Sequence, residues 1–364
     1  MTCSRTYEFR TAGRVPEIES LLERVVPEIA AEAAASGIPE LAGIFLGGGY
    51  GRGEGGVFRD GEGRPHLYND LDFFVFTTGA PRRRRREIDR LIEPVARRWT
   101  ETLGVDVDFG PAKNTGALRR MARTLMYQEL LRGYWRVWGE CDLPALIPAI
   151  DAKDLPPLEG VRLLLNRGMG LLLAADRAVA GAEDVDFVLR NLNKAVLGSA
   201  DALLIGAGRY RYRAPERLAA FETLADESGL APERVAQYAR ALEFKAWPDA
   251  RPPEDWNAAW NAARRFWCES VAGIAGCPAE TPPDAVVHAL HRKRELRGGT
   301  GFVNFLNWLR KTRSPGAVRE WFDAPELRML ARLYRLLAAS GLSRREAVPP
   351  KERAALLGMW VFIN

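Results

Sequence analysis

Four aspartates occur as two pairs in which one residue separates the acids: Asp70 with Asp72, and Asp106 with Asp108. Side chains at positions i and i+2 of a β-strand point to the same face, so each pair presents two carboxylates together. Such carboxylates beside apolar residues repel each other, and a bound divalent cation removes that cost. If the two strands are neighbours, the acids converge, and we predict a site for two magnesium ions of the kind used in phosphoryl transfer.

A glycine-rich loop precedes the first acidic pair. Seven of the ten residues in 47–56 are glycine. Because glycine has no Cβ atom, the backbone N–H groups of such a loop can approach a phosphate closely. Arg52 lies inside the loop and offers charge-assisted hydrogen bonds to phosphate oxygens. The loop and the acids together predict a site for a phosphate-bearing ligand and its metal ions.

Hydrophobic periodicity predicts the elements that position these residues. In chain order they are a helix over 16–36, a strand over 41–46, a turn over 60–65, a strand over 70–76, a helix over 81–103 and a strand over 105–109, which Gly110 and Pro111 end. The glycines also match G-x-G-x-x-G at 51–56. A dinucleotide-binding fold would need a helix directly after them, and no helical pattern follows.

These residues resemble the DNA polymerase β-like nucleotidyltransferases. The pattern of that superfamily is an apolar strand, G-[GS], a loop, D-x-D among apolar residues, and a third carboxylate on a later strand. It is matched by GGYGRGE at 48–54, NDLD at 69–72 and VDF at 107–109. The YGRGE part is similar to the G-S-Y-A-R-G-E form of minimal bacterial members. The resemblance covers roughly residues 41–112.

The resemblance implies roles for the acids. Asp70 and Asp72 would hold the magnesium ions, and Asp108 would be the third carboxylate, serving as a metal ligand and as a base for the acceptor hydroxyl. The FGPA sequence that follows Asp108 resembles the D-V-V-P-A continuation of oligonucleotide-synthesising relatives. Asp106, on the same face, is the reserve candidate for the third metal-ligating acid.

The resemblance also implies where the nucleotide binds. The residues expected at the nucleotide are Gly48, Gly49, Tyr50, Arg52, Glu54 and Lys194. Lys194 lies in the stretch LNKAVL, residues 192–197, which resembles the helix after the catalytic domain in several relatives, where a lysine can reach the triphosphate. An ordinary surface position is the competing interpretation of Lys194.

Two features depart from the superfamily pattern. The frequent serine of the glycine motif is Gly49 in this chain, so a hydroxyl contact to the phosphates is missing. Gly49 and Asp70 are 21 positions apart, a longer spacing than is usual in the superfamily. We expect the turn at 60–65 to belong to a hairpin insertion that accounts for the extra residues.

The expected fold class is α+β. A nucleotidyltransferase catalytic domain with a mixed sheet would occupy residues 1–113, and an all-helical domain over 114–364 would bind the substrate or acceptor. The helical part would divide into two lobes near 247–255, where Pro248, Pro252 and Pro253 interrupt any helix.

Composition narrows the setting. The chain has 364 residues and a net charge of +5, which permits a polyanionic partner. The arginine run at 82–86 is either a polyanion contact or a solvated helix start. Four cysteines without a CxxC pair and three histidines favour a hard, carboxylate-bound metal ion over zinc. No apolar run approaches the roughly 18–20 residues of a membrane helix, and no signal-peptide pattern is present, so we expect a cytoplasmic protein without a membrane partner.

The expected activity is magnesium-dependent transfer of a nucleoside monophosphate to an acceptor hydroxyl with release of pyrophosphate. AMP from ATP is the first expectation, with other nucleoside triphosphates open. The acceptor is a small molecule, a protein or an RNA. The alternatives are a non-catalytic nucleotide- or nucleic-acid-binding module with a degenerate nucleotidyltransferase fold, and a purely structural protein. Metal-dependent turnover separates the enzyme from both.

Overall fold

A computed structural model describes residues 5–121, 123–179, 184–299, 301–312, 320–339 and 350–363. The chain divides into two compact units. The first comprises Met1–Asp151, Tyr212–Ala214 and Glu243–Asp249, and the second comprises Ala152–Arg211, Pro215–Leu242 and Ala250–Asn364. Two short segments from later in the chain therefore belong to the first unit.

The first unit is built around a four-stranded mixed sheet. Its strands are β1 (Leu41–Leu46), β2 (Val57–Arg59), β3 (Pro65–Leu67), β4 (Leu71–Thr77), β5 (Val107–Asn114) and β6 (Trp135–Gly139). Its helices are α1 (Pro16–Ala34), α2 (Gly48–Gly51), α3 (Arg82–Leu103), α4 (Thr115–Met121), α5 (Leu125–Arg132) and α6 (Leu143–Leu146). The sheet order is β5-β4-β1-β6, with β4 parallel to β5 and β1 antiparallel to β4 and β6. β2 and β3 form a separate hairpin.

Apolar side chains cover both faces of this sheet. On one face, Ile44 and Phe73 join a buried cluster with apolar residues of α1 and α3. On the other, Phe45 and Phe76 pack with residues of α4, α5 and α6. Because side chains alternate along a strand, Asp72 shares the second face of β4 with Phe76. Burial of both faces fixes the register, since a slip of one residue would send the acid into the other cluster.

Most predicted elements of the first unit are confirmed. α1, α3 and β4 lie close to their predicted bounds, and β1 occupies the predicted residues. β2 and β3 pair antiparallel around the turn, so the stretch between the glycines and the acids is the expected hairpin. The periodicity was strong in these segments because each buries one continuous apolar face.

Two strands correct the sequence analysis. β5 does not end at Gly110 and Pro111, because its register against β4 shifts between Phe74 and Phe76 and the strand continues past the proline. Proline is tolerated at such irregularities and on edge strands, and β5 is an edge. β6 lies in the region that was expected to be all helical, and it pairs with β1 at the other edge. Its sequence, WRVWG, is too short and too irregular in polarity to indicate a strand.

The second unit is helical. Its helices, some of which extend into the segments named above, are α7 (Leu158–Val179), α8 (Val185–Gly206), α9 (Ala214–Ser228), α10 (Pro232–Ala246), α11 (Trp256–Ala275), α12 (Pro283–Arg292), α13 (Gly301–Thr312), α14 (Pro325–Ala339) and α15 (Pro350–Ile363). Within the described ranges, every strand belongs to the first unit. The chain is thus α+β, as predicted. None of the described helices is both long enough and apolar enough to cross a membrane.

Candidate active site

The two acidic pairs meet on neighbouring parallel strands. In the register between β4 and β5, Asp72 lies beside Asp108. The backbone N–H of Leu71 donates to the carbonyl oxygen of Asp106 at 2.8 Å, which ties the first acidic stretch to the second just where the strands begin. The two acidic strands are therefore neighbours, which is the condition for the carboxylates to converge.

Nearby acids affect the protonation of Asp108. The pKa of Asp108 is raised above its ordinary value, first by desolvation and then by the negative charges of Asp70 and Asp106. Asp70 and Asp72 are half-buried, whereas Asp106 and Asp108 are exposed. The start of β4 and β5 thus concentrates negative charge, and a bound cation would relieve the repulsion.

The glycine loop begins where β1 ends, directly against the acids. The backbone N–H of Gly47 donates to the carbonyl oxygen of Asp72 at 2.8 Å. Gly48 has φ +59°, and a Cβ atom there would lie 1.8 Å from Oδ2 of Asp72. Glycine is therefore required at position 48 for two reasons, the left-handed backbone conformation and the close approach to a carboxylate.

Gly49 is in a different situation although it is the next residue. A Cβ atom at Gly49 would meet its nearest neighbours, Oδ1 of Asn69 and the carbonyl oxygen of Glu54, at 3.6 and 3.7 Å. These are ordinary van der Waals distances, so the position has room for a small side chain. The superfamily that this sequence resembles often has a serine at this position. The space around Gly49 does not explain why the chain lacks that serine.

Tyr50 fixes the shape of the loop from inside. Its side chain is 0% exposed, and its hydroxyl donates to the carbonyl oxygen of Gly56 at 2.9 Å and accepts from the N–H of Tyr68 at 3.1 Å. Gly55 packs against the ring so closely that a Cβ atom there would lie 2.0 Å from it. The Tyr50 side chain therefore supports the backbone of the loop from beneath.

Arg52 is held by carboxylates of the protein. Its Nη1 donates to Oε2 of Glu129 on α5 at 3.1 Å, and its Nε lies 3.8 Å from Oε2 of Glu54. The side chain of Arg52 is 13% exposed. Buried ion pairs of this kind fix orientation, so Arg52 joins the loop to α5.

Glu54 joins the loop to the two later segments of the first unit. Its Oε1 accepts from the backbone N–H of Ala214 at 2.7 Å, and its Oε2 accepts from Nζ of Lys245 at 3.0 Å. Gly56 lies against the same segment, since a Cβ atom there would be 2.4 Å from the carbonyl oxygen of Lys245. Glu54 is therefore the point at which the loop, residues 212–214 and the end of α10 meet.

Sequence reasoning missed two residues of this assembly. Asn69, next to the first acidic pair, accepts the N–H of Gly56 on its Oδ1 at 2.6 Å and thereby closes the loop over the start of β4. Its place in the NDLD motif was a signal that could have found it. Lys245 carried no such signal, because it lies 191 residues after its partner Glu54.

The sequence-predicted residues therefore fall into three groups. Asp70, Asp72, Asp106, Asp108, Gly48 and Gly49 come together where β1 ends and β4 and β5 begin. The side chains of Tyr50, Arg52 and Glu54 shape and anchor the loop. Lys194 lies on α8 in the second unit, and its contact with a nucleotide stays a prediction.

The donors available at the acidic site suit a hard metal ion. They are carboxylate oxygens, which magnesium prefers over sulfur or imidazole ligands. The pKa of Asp108 is raised first by desolvation and then by the charges of Asp70 and Asp106, and a shared cation would offset both effects. Among the described residues, no three Asp, Glu, His or Cys side chains are arranged as a metal-binding group. The residue types and their register fit magnesium, and ion binding would have to draw the side chains closer together.

The arginine run at 82–86 forms the first turn of α3. Arg84 pairs with Glu40, next to the start of β1, at 3.0 Å, and Arg85 donates to the carbonyl oxygen of Ala80 at 2.7 Å. These two arginines thus attach the start of α3 to the sheet and to its own N-terminal turn.

Comparison with known proteins gives no further identification. No protein family, no curated protein and no solved structure matches this chain.

Proposed function

We propose that the first unit is a magnesium-dependent nucleotidyltransferase that moves a nucleoside monophosphate from a nucleoside triphosphate to an acceptor hydroxyl. The observation that carries the proposal is the placement of Asp72 beside Asp108 on parallel strands, with the glycine loop bonded to the backbone of Asp72 through Gly47. Carboxylates beside a glycine-rich backbone form a site for a triphosphate and its metal ions.

The acids hold the metal in this proposal. Asp70, Asp72 and Asp108 are the ligands, with Asp106 as the reserve. Magnesium supplies Lewis-acid polarisation of phosphoryl oxygens and offsets the charge that develops during transfer. The partial desolvation of Asp108 and its repulsion by Asp70 and Asp106 favour cation binding before any chemistry begins.

The loop and the acceptor base complete the mechanism. Backbone N–H groups around Gly48 and Gly49 face the phosphates and orient the triphosphate. The acceptor oxygen forms a bond to the α-phosphorus, the bond from that phosphorus to the oxygen bridging to the β-phosphate breaks, and pyrophosphate leaves. The proton of the acceptor hydroxyl passes to a carboxylate oxygen, for which Asp108 is the candidate.

The test measures nucleotide binding and transfer on the same samples. Thermal stabilisation by each of the four common ribonucleoside triphosphates with magnesium is compared between wild type, Asp70→Asn/Asp72→Asn and Glu93→Gln. Glu93 lies on α3 with its side chain 62% exposed and serves as the matched acidic control. A ligand that binds the folded state raises its stability. We expect a magnesium-dependent shift in wild type and Glu93→Gln that the double variant loses.

Transfer is followed with triphosphates labelled at the α-phosphate. The acceptors are hydroxyl-bearing small molecules, proteins including the chain itself, and RNA. Movement of label to one class, lost in Asp70→Asn/Asp72→Asn, supports the proposal and names the acceptor class. A nucleotide shift without transfer to any class would favour the non-catalytic binding module. Absence of both shift and transfer would overturn the proposal.

A further inference from the structure

The second unit contains a cavity of about 640 Å³ that the proposed reaction does not use. Small-molecule sites typically have volumes of roughly 300–1,000 Å³. The lining includes residues at the ends of α8, α9 and α11, namely Gly206, Ala207, Ser228, Gly229, Ile274 and Gly276. Three helix C-termini therefore converge on one cavity.

Converging helix C-termini give this cavity a negative character. Each C-terminus carries a partial charge of roughly −0.5 from its carbonyl dipoles. Basic side chains in the last turn commonly offset that charge. α8, α9 and α11, each described over its whole length, have no basic residue in the last turn. The last turns of these three helices therefore supply no basic side chain of their own to offset the partial charge.

One ammonium group already occupies part of this wall. Nζ of Lys293, which lines the cavity, donates to the carbonyl oxygen of Ile274 in the last turn of α11 at 2.8 Å. The same Nζ lies 4.0 Å from Oε1 of Glu295. The protein thus shows how a primary amine is held at this place, by a helix-end carbonyl and a nearby carboxylate.

The remaining lining fits the rest of an organic cation. Glu280 and Glu295 are exposed carboxylates at the cavity. Glu269 also lines the cavity, but its carboxylate accepts hydrogen bonds from Nε and Nη2 of Arg234. The apolar lining residues include Pro157, Leu203, Leu224, Leu230, Ile274 and Leu296. The carbonyl oxygen of Ile274 and the carboxylates of Glu280 and Glu295, beside apolar lining residues, match a chain of methylene groups that carries separated ammonium groups.

We propose that this cavity binds a small aliphatic polyamine. The occupant carries at least two ammonium groups, one for the converging ends of α8, α9 and α11 and one for the carboxylates Glu280 and Glu295. A bare metal ion fits less well, because no three Asp, Glu, His or Cys side chains of the described residues form a metal-binding group. The proposal is independent of nucleotidyl transfer, since it rests only on residues of the second unit.

Calorimetric titration of the full chain with spermidine tests the proposal. The control ligand is 1,8-octanediol, which has a similar aliphatic length and no charge. We expect spermidine to bind at one site per chain, with an affinity that falls as salt is raised, and the diol to give no binding. Equal binding of both ligands, or no spermidine binding at low salt, would overturn the proposal.

Variants separate this cavity from a general attraction of polyamines to acidic surface. Glu280→Gln/Glu295→Gln is expected to weaken spermidine roughly tenfold, because each charge at a helix end or exposed site contributes about 0.3–1 kcal/mol. Glu222→Gln, on an exposed position of α9, is the matched control and is expected to leave the affinity unchanged. Equal affinities of the double variant and this control would sink the proposal.

Lys293→Met gives a test with the opposite sign. It frees the carbonyl oxygen of Ile274 and removes a competing positive charge, so spermidine is expected to bind about 2–5-fold more tightly. A weaker affinity in a variant that unfolds at the wild-type temperature would contradict the assignment of this wall as the ammonium site. If Lys293→Met fails to fold, the glutamate variants decide alone.

Discussion

The acidic site of the first unit and the cavity of the second unit are both negative, but they acquire their charge by different means. At the start of β4 and β5 the charge belongs to side chains, because Asp72 lies beside Asp108, and desolvation followed by the charges of Asp70 and Asp106 raises the pKa of Asp108. At the cavity much of it belongs to the backbone, at the ends of α8, α9 and α11. At the acidic site, one substitution can remove a whole unit of negative charge. At the helix ends, the negative charge is spread over many carbonyl groups.

The largest effect is expected at the concentrated site. Asp108→Asn should lower nucleotidyl transfer by about 10²–10³-fold, the usual cost of removing one electrostatic stabiliser of a transition state. Asp106→Asn should cost less than about tenfold, because Asp106 precedes β5, whereas Asp108 lies within β5 in register with Asp72. Initial rates with the acceptor found above provide the measurement. A greater loss from Asp106→Asn would exchange the two roles.

Alanine substitutions at the two glycines beside the acids should change the free energy of unfolding by clearly different amounts. Gly48→Ala forces a Cβ atom onto Asp72 at a backbone angle of φ +59°. We expect it to lower the free energy of unfolding by about 1–3 kcal/mol. Gly49→Ala, where the nearest atoms lie at 3.6 Å, should leave it within about 1 kcal/mol or raise it, since alanine favours the helical turn. Urea unfolding of both variants checks this contrast, and equal losses would refute it.

Gly49 also offers a gain of function. Gly49→Ser places the hydroxyl of the resembling superfamily where the structure has room for it. One added hydrogen bond to a phosphate is worth about 1 kcal/mol, so the triphosphate should bind roughly fivefold more tightly. The dissociation constant with magnesium is the measurement. A weaker constant in the folded variant would show that the phosphates lie elsewhere.

Separation along the chain explains which features the sequence could predict. The acidic strands, the glycine loop and the hairpin were recognisable because each depends on residues close together in the chain. That the loop and the acids form one site was predicted, whereas the close approach of Gly48 to Asp72 was not, because it depends on the backbone angle at Gly48. The engagement of Glu54 with Lys245 could not be predicted, because it joins positions 191 residues apart and depends on where α10 ends.

The strands at the edges of the sheet were predicted incompletely or not at all, for a related reason. An edge strand such as β6 is held by one neighbour, so its sequence need not alternate cleanly. The extension of β5 past Pro111 relies on a register shift that only pairing with β4 reveals. The cavity of the second unit was still harder to predict from the sequence. Its charge depends on the residues at which helices end, and the ends of an element are its least predictable part.

A smaller effect is expected at the junction between the loop and the later segments. Glu54→Gln and Lys245→Met should be coupled in the free energy of unfolding by about 1 kcal/mol, because their side chains are 12% and 21% exposed and share a bond of 3.0 Å. The exposed pair Glu93 and Arg97 on α3 is the control, with a coupling of about 0.5 kcal/mol or less. Equal coupling in the two double-mutant cycles would mean that the junction adds nothing.

The smallest effect is a dependence of stability on pH, and it has opposite signs at two carboxylates of the first unit. The pKa of Asp108 is raised above 3.8, so the folded state binds its proton more tightly than the unfolded state does. Stability is therefore lost as pH rises from about 3.8 through the folded pKa. Asp108→Asn should be more stable than wild type at pH 7, and the gap should close on acidification.

Glu40 should behave in the reverse way. Its hydrogen bond from Arg84 holds its pKa below 4.5, so the stabilisation is present above that pH and is lost as pH falls through the folded pKa. Glu40→Gln should be less stable than wild type at pH 7, with a gap that also closes on acidification. Unfolding midpoints between pH 3 and pH 7 give both differences on one scale. Magnesium should abolish the advantage of Asp108→Asn and leave the Glu40→Gln difference unchanged, because the cation neutralises repulsion only at the acidic strands. An advantage of Asp108→Asn that persists in magnesium would mean that the ion binds elsewhere.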